Sequence, residues 1–408
     1  MTNPQTTSYL PFAIPDIGDR EICEVAATLH SGWLTTGDRA HRFESAFKVY
    51  AGAPHALALN SGTAALHVAL AALGIGPGDE VITTPLTFCA TVNVILEVGA
   101  TPVLADIGYD LNIDPTAVRR AITKRTRAII PVHLAGLPCE MDRIWAVAKE
   151  FGLHVVDDAA HATDARYRGQ PIGAGASDAV AYSFYVTKNL CTGEGGMVTT
   201  HSAELADRMK VLSLHGISRD AWNRYSENGN WYYEVVECGF KYNMSDIAAA
   251  IGLVQLERLE AMHVRRAEIA RRYSAAFEEM PEVETPPERE DCRHAWHLYI
   301  LRLNLERLMI DRARFFDEMK RRKVGCSVHF IPVPLHPYYR KTLELREPCT
   351  RALAEYPRLL SLPLYSKMTD EEVDRVIQAV RDTVAHNSVR EAVAFHGREA
   401  TNAVEEDD

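Results

Sequence analysis

Between residues 55 and 200 the chain alternates short β-rich runs with longer helical stretches, and this constrains the fold more than any other feature of the sequence. Runs at 101–107 (TPVLADI), 127–134 (RAIIPVHL), 154–158 (HVVDD), 179–184 (AVAYSF) and 196–200 (GMVTT) are mostly continuous in their apolar character. Strict alternation would mark strands wetted on one face; continuous apolar runs mark strands covered on both. A helix is expected from Thr63 to about Leu73, stopped by Gly74, Gly76 and Pro77. The predicted class is α/β, with a mostly parallel sheet of about seven strands.

From Ser245 the pattern changes. Ile247, Ile251 and Val254 keep an i, i+4, i+7 spacing, Leu259 and Met262 extend the stripe, and a long helix is expected to run to Met280, before Pro281. A smaller α+β unit should follow, with strands near 297–303 and 326–331 and helices near 311–323 and 369–385. The expected division is a large domain over 1–255, a small one over 256–390, and a polar, disordered tail over 391–408.

Net charge is −11 over 408 residues, with acids and bases interspersed, which argues against a nucleic-acid protein, since that would show a basic face. Small anionic ligands need only a local positive pocket. The N-terminus lacks the basic start and apolar core of a signal peptide, and no apolar stretch reaches the roughly 18 to 20 residues that span a bilayer. Eight cysteines without a CxxC pair suggest free thiols in a reducing cytosol, and no metal site is expected.

Three places could carry chemistry. Ser61-Gly62-Thr63 opens a helix directly after a strand, which makes either an anion site or a plain N-cap. Asp157 and Asp158 end a buried strand, where an acid either faces the ligand crevice of an α/β sheet or caps a following helix; His161 lies three residues on. Lys188 sits between two apolar strands beside Gly193, Gly195 and Gly196. A buried ammonium is costly, so desolvation favours a nucleophilic amine there, unless the residue is a surface loop lysine. Together an anion-binding helix start, a strand-end aspartate, a Ser-Phe strand and a lysine are the parts that a pyridoxal phosphate site requires.

The stretches 31–37 (SGWLTTG), 60–70 (NSGTAALHVAL), 76–103, 155–162 (VVDDAAHA), 183–197 (SFYVTKNLCTGEGGM), 239–256 and 362–373 resemble the DegT/DnrJ/EryC1/StrS family of fold type I, pyridoxal-phosphate-dependent nucleotide-sugar aminotransferases. The resemblance covers about residues 10 to 385. It implies that Lys188 carries the cofactor covalently, Asp158 pairs with the pyridine nitrogen, and His161 stands beside the ring hydroxyl. Gly62, Thr63 and Ser183 match phosphate contacts, and Phe88 matches the aromatic ring stacked on the cofactor, with plain core as its other reading. Asn243 resembles an asparagine that reaches the phosphate of a neighbouring subunit, implying a homodimer with shared sites; its other reading is a turn or helix-start residue before Ser245. Asp157, where many relatives have Glu, should point away from the cofactor. Arg219 and His329 are candidates for sugar and diphosphate contacts, supplying cations to an anionic substrate, with plain surface or core roles as their other reading.

The implied reaction moves the amino group of glutamate, released as 2-oxoglutarate, to a nucleotide-linked keto sugar, with pyridoxamine phosphate as the intermediate cofactor form. Residues 294–303 (HAWHLYILRL) and 327–339 resemble the branch that aminates C4 of UDP- or dTDP-linked sugars, including the 4-amino-4-deoxyarabinose enzyme. Two alternatives remain: a dehydratase of the same fold, which carries His at the lysine position, and a non-catalytic regulatory module, which needs a fused DNA-binding segment.

Overall fold

The computed structural model describes residues 8–218 and 232–389. Arg219 and the expected tail at 391–408 lie outside the described residues. The apolar runs form one seven-stranded sheet in the order His55–Leu59, Gly196–Thr200, Ala179–Ser183, His154–Asp158, Thr126–Ile130, Glu80–Thr83, Thr101–Leu104. Its neighbours pair in parallel except at Gly196–Thr200, which is antiparallel to the strands on either side. This is the fold type I α/β arrangement expected from the sequence.

Successive strand residues serve opposite cores. Ile82, Ile129, Val155, Val180 and Met197 pack against helices Asp38–Ala51, Met141–Phe151 and the first half of Asp246–Phe277. Val81, Ala128, Val156, Ala179 and Val198 pack against Gly62–Ala72, Cys89–Glu97 and Ala203–Ser213. Both faces are covered, which is why the strands read as apolar runs without alternation. Helix Gly62–Ala72 matches the expected span within a residue at each end, and Gly74 beyond it takes a left-handed φ of 76°, as a glycine stop does.

The long helix is Asp246–Phe277 (32 residues), capped where Ser245 Oγ accepts from the Ala248 N–H. It crosses the expected boundary at 255/256: Leu259 and Met262 belong to the first core, whereas Ile269, Tyr273 and Phe277 belong to a second. That second core packs under an antiparallel sheet of Val283–Glu284, Tyr299–Leu303 and Leu359–Leu362, with helices Arg312–Arg321 and Asp370–Ala385.

The expected strand at 326–331 is absent. Only Ser327 pairs, with Ser361, through two backbone hydrogen bonds of 3.1 and 2.8 Å. Pro332 and Pro334 follow closely, denying donors and restricting the residues before them, so the ladder stops and the chain turns off the sheet. The departure delivers His329 and Phe330 to a pocket at the edge of the large sheet.

Candidate active site

Because Gly196–Thr200 runs against its neighbours, its first residue pairs with the last residues of the flanking strands, Leu59 and Ser183. The carboxyl ends of His55–Leu59, His154–Asp158 and Ala179–Ser183 therefore meet at one edge, the place where α/β sheets bind ligands. There a cavity of about 500 Å³ gathers Gly62, Thr63, Phe88, Asp158, His161, Ser183, Lys188 and His329 of the sequence candidates.

The helix start rests directly on the strands. A Cβ on Gly62 would lie 2.8 Å from Ser183 Cβ, and one on Gly196 would lie 2.3 Å from the Ser61 carbonyl oxygen. No other residue permits this approach. Ser61 Oγ accepts from the Ala64 N–H at 3.0 Å, so the N-cap reading holds. It leaves the N–H groups of Gly62 and Thr63, the first two of the helix, without intrahelical acceptors at the pocket wall. Cap and anion site coexist.

Lys188 stands in the loop of residues 184–195, which is cinched by Phe184 N–H to the Gly195 carbonyl and Thr192 N–H to the Phe184 carbonyl, both 2.8 Å. Among the described residues nothing hydrogen-bonds or pairs with its amine. Desolvation pushes its pKa down to about 8, opposed by the carboxylate of Asp158. An amine reacts with an aldehyde as the free base. Mixed with pyridoxal phosphate, the cofactor-free protein is therefore expected to show covalent capture, followed by visible absorbance, whose rate climbs with pH and levels off above about 8. A rate still climbing toward an ordinary lysine pKa, near 10.4, would contradict this setting of Lys188.

The two aspartates separate by strand alternation. Asp157 turns from the pocket, accepting from Ser177 Oγ at 2.8 Å, as the family pattern led one to expect. Asp158 faces the pocket; its carboxylate accepts from Thr91 Oγ1 at 2.8 Å and the Ala160 N–H at 3.1 Å. The bond to Ala160 closes a turn, and no helix follows for the aspartate to cap. Burial raises the Asp158 pKa against these bonds, so its charge calls for a cation.

His161 accepts at Nδ1 from the Ala135 N–H (3.2 Å), which puts its proton on Nε2. Phe88 is not core: it is 58% exposed and lines the cavity 5.9 Å from Phe330. His329 is not the cation expected of it. Burial, then Lys188, pushes its pKa down to about 4, so near neutrality it can offer hydrogen bonds but no charge. Its Nδ1 lies 2.8 Å from Ser361 Oγ. Asn243 does not line the pocket: it donates to Thr36 Oγ1 (2.7 Å), accepts from Lys241 Nζ (2.6 Å), and bridges to Leu59. Thr91 and His297 also reach the site and were not anticipated. Thr91 is three residues beyond Phe88, one helical turn, which is a signal the sequence offered; His297 carried none beyond its place in HAWHL.

The profile of the DegT/DnrJ/EryC1/StrS aminotransferase family matches residues 15–381. The spore coat polysaccharide biosynthesis protein SpsC of Bacillus subtilis (strain 168) is 54% identical over 379 residues, covering 92% of this chain and 97% of its own. Spr1654 of Streptococcus pneumoniae, solved in a PMP form, superposes with a TM-score of 0.87 at 36% identity, over 92% of this chain and 99% of its own. A PLP form of the same protein gives 0.86 at 35% identity. PseC of Helicobacter pylori, an aminotransferase involved in the biosynthesis of pseudoaminic acid, gives 0.86 at 29% identity, over 93% of this chain and 100% of its own.

Proposed function

The chain belongs to the DegT/DnrJ/EryC1/StrS aminotransferase family, whose cofactor is pyridoxal phosphate, and we propose that it moves the amino group of glutamate to the C4 keto group of a UDP- or dTDP-linked sugar. The observation that carries this reading is Lys188, an amine with no partner among the described residues, held near pKa 8 in one pocket with the buried carboxylate of Asp158.

The residues present fit the cofactor. Gly62 and Thr63 N–H with Ser183 would hold its phosphate, as a helix start without Cβ interference can. The bare face of Phe88 would pack on its ring, and the Nε2–H of His161 would donate to the ring hydroxyl. Asp158, with no ion pair among the described residues, would hold a protonated ring nitrogen, and the two charges together offset the burial that either alone resists. When bound, the cofactor supplies a carbonyl carbon that exchanges amines and a ring that accepts an electron pair.

The chain's own part is then proton management and positioning. With a pKa near 8, the Lys188 amine is partly free base at neutral pH and can take a proton from carbon and return it. Lysine at this position stands against the dehydratase alternative, which uses His there. Since Asn243 stays outside its own pocket, a phosphate contact by it would be made in a second copy, and we extend the proposal to a homodimer with shared sites. The cysteines are all unpaired, which suits a reducing cytosol, and among the described residues no helix is long and apolar enough to cross a membrane.

Incubation with glutamate and a panel of UDP-, dTDP- and GDP-linked 4-keto sugars tests the substrate. Conversion of ketone to amine, seen by product mass, is expected for a UDP or dTDP member. Efficient amination of free 2-keto acids with every nucleotide sugar ignored would reject the substrate while leaving the cofactor reading intact.

A further inference from the structure

Asn189, next to Lys188, is buried with its carboxamide fully engaged. Its Nδ2 donates to Asp164 Oδ1 (2.9 Å) and to the Ala295 carbonyl (2.8 Å), while its Oδ1 faces His297 Nδ1 at 3.1 Å. Both partners of Nδ2 can only accept, provided Asp164 is ionised. It is: burial alone would raise its pKa, but Arg266 (2.8 Å) and His263 (3.0 Å), both on Oδ2, hold it below the ordinary range. His263 accepts at Nε2 from Arg293 Nε (2.9 Å), which keeps its proton on the nitrogen facing Asp164.

Reversing the Asn189 amide would set its oxygen against a carboxylate and a carbonyl. Its orientation is therefore fixed, Oδ1 is an acceptor, and His297 must carry its proton on Nδ1. The neighbouring ring is the opposite tautomer, because the Ala135 N–H occupies His161 Nδ1. Ala135 ties the two residues together: its N–H donates to the His161 ring and its carbonyl accepts from the backbone N–H of His297 at 3.0 Å. The ring centroids are 4.4 Å apart and both residues line the cavity. Burial, then Lys188, keeps both neutral.

We propose that Asp164, acting through Asn189, is a positioning residue that fixes the proton of His297 on Nδ1, so that Nε2 accepts a hydrogen bond from a ring hydroxyl of the sugar substrate. This rests on the nucleotide-sugar reading above. The cavity then pairs a donor, His161 Nε2–H, with an acceptor, His297 Nε2, and the acceptor selects for a substrate that can donate. Sites built to hydrogen-bond a hydroxyl reject analogues lacking it, because their own buried group is left unpaired.

The tautomer is read without substrate, by nitrogen NMR of ¹⁵N-histidine-labelled holoenzyme, with His297 assigned through its loss in His297→Phe. Wild-type His297 is expected to be protonated at Nδ1 and bare at Nε2, and Asn189→Ser to let it revert to the commoner Nε2–H form. Kinetically, His297→Phe should lower kcat/KM for the accepted 4-keto sugar about tenfold, the worth of one net hydrogen bond. That loss should vanish for the one monodeoxy analogue that lacks the bonded hydroxyl. A wild-type His297 protonated at Nε2 overturns the proposal, as does an equal loss on every deoxy analogue. Failure of the underlying reading shows separately, as no turnover of any nucleotide sugar by the wild-type holoenzyme.

Discussion

Lys188→Ala is expected to cut turnover about 10⁴-fold. The variant loses an amine of the pocket that has no partner among the described residues and is lowered to a pKa of about 8. Removing a positioned general base alone costs about 10² to 10⁴, and loss of the covalent attachment adds to it. Borohydride treatment of the wild-type holoenzyme should abolish its visible band and leave the cofactor on the peptide bearing Lys188; the variant should give no such adduct. The variant also tests the shared site. Mixed with an inactive Asn243→Asp chain, it should recover part of the activity, since one of the two sites in a mixed dimer is then intact. Near-normal turnover by Lys188→Ala would reject the assignment, and no rescue despite demonstrated subunit exchange would reject the sharing.

Asp158→Ala is expected to lower the rate about a hundredfold or more, roughly 3 kcal/mol of transition-state stabilisation. Asp158 is the pocket's buried carboxylate, and a buried anion held by Thr91 and the Ala160 N–H is costly unless a cation meets it. Without it a protonated ring nitrogen loses its counter-charge. Asp157 cannot substitute, since it belongs to the opposite face and bonds Ser177. The phosphate contacts should survive, so cofactor content, measured by absorbance after alkaline release, should fall far less than turnover. Equal losses in both would make Asp158 a residue of cofactor retention only.

What the sequence disclosed depended on whether a contact was local. The sheet was legible because strands such as Glu80–Thr83 and Ala179–Ser183 are buried residue by residue, and double-sided burial writes itself as an apolar run. The site's principal groups were legible because each follows a strand directly: Gly62 after Leu59, Asp158 as a strand end, Lys188 just beyond Ser183. The segment at 326–331 misled because its β-branched and aromatic residues suit a strand, while the prolines that end the pairing come only afterwards. His329 misled because a sequence displays an ionisable group but not the burial that neutralises it. The Asp164–Asn189–His297 chain was illegible for a third reason. Its ionic anchor joins residues 102 apart and its last link residues 108 apart, and no periodicity spans such distances.

Nitrogen is expected to pass from glutamate to a sugar carbon in the pocket where Lys188 moves the proton. The decisive experiment gives the holoenzyme [¹⁵N]glutamate with the accepted 4-keto nucleotide sugar and follows the product by mass spectrometry. The expected product is an amino sugar carrying the ¹⁵N label, formed with one 2-oxoglutarate each, and Lys188→Ala should transfer no label. A product with no amino nitrogen, having lost a hydroxyl instead, or an amino sugar whose amino nitrogen is unlabelled, would overturn the proposed amino transfer.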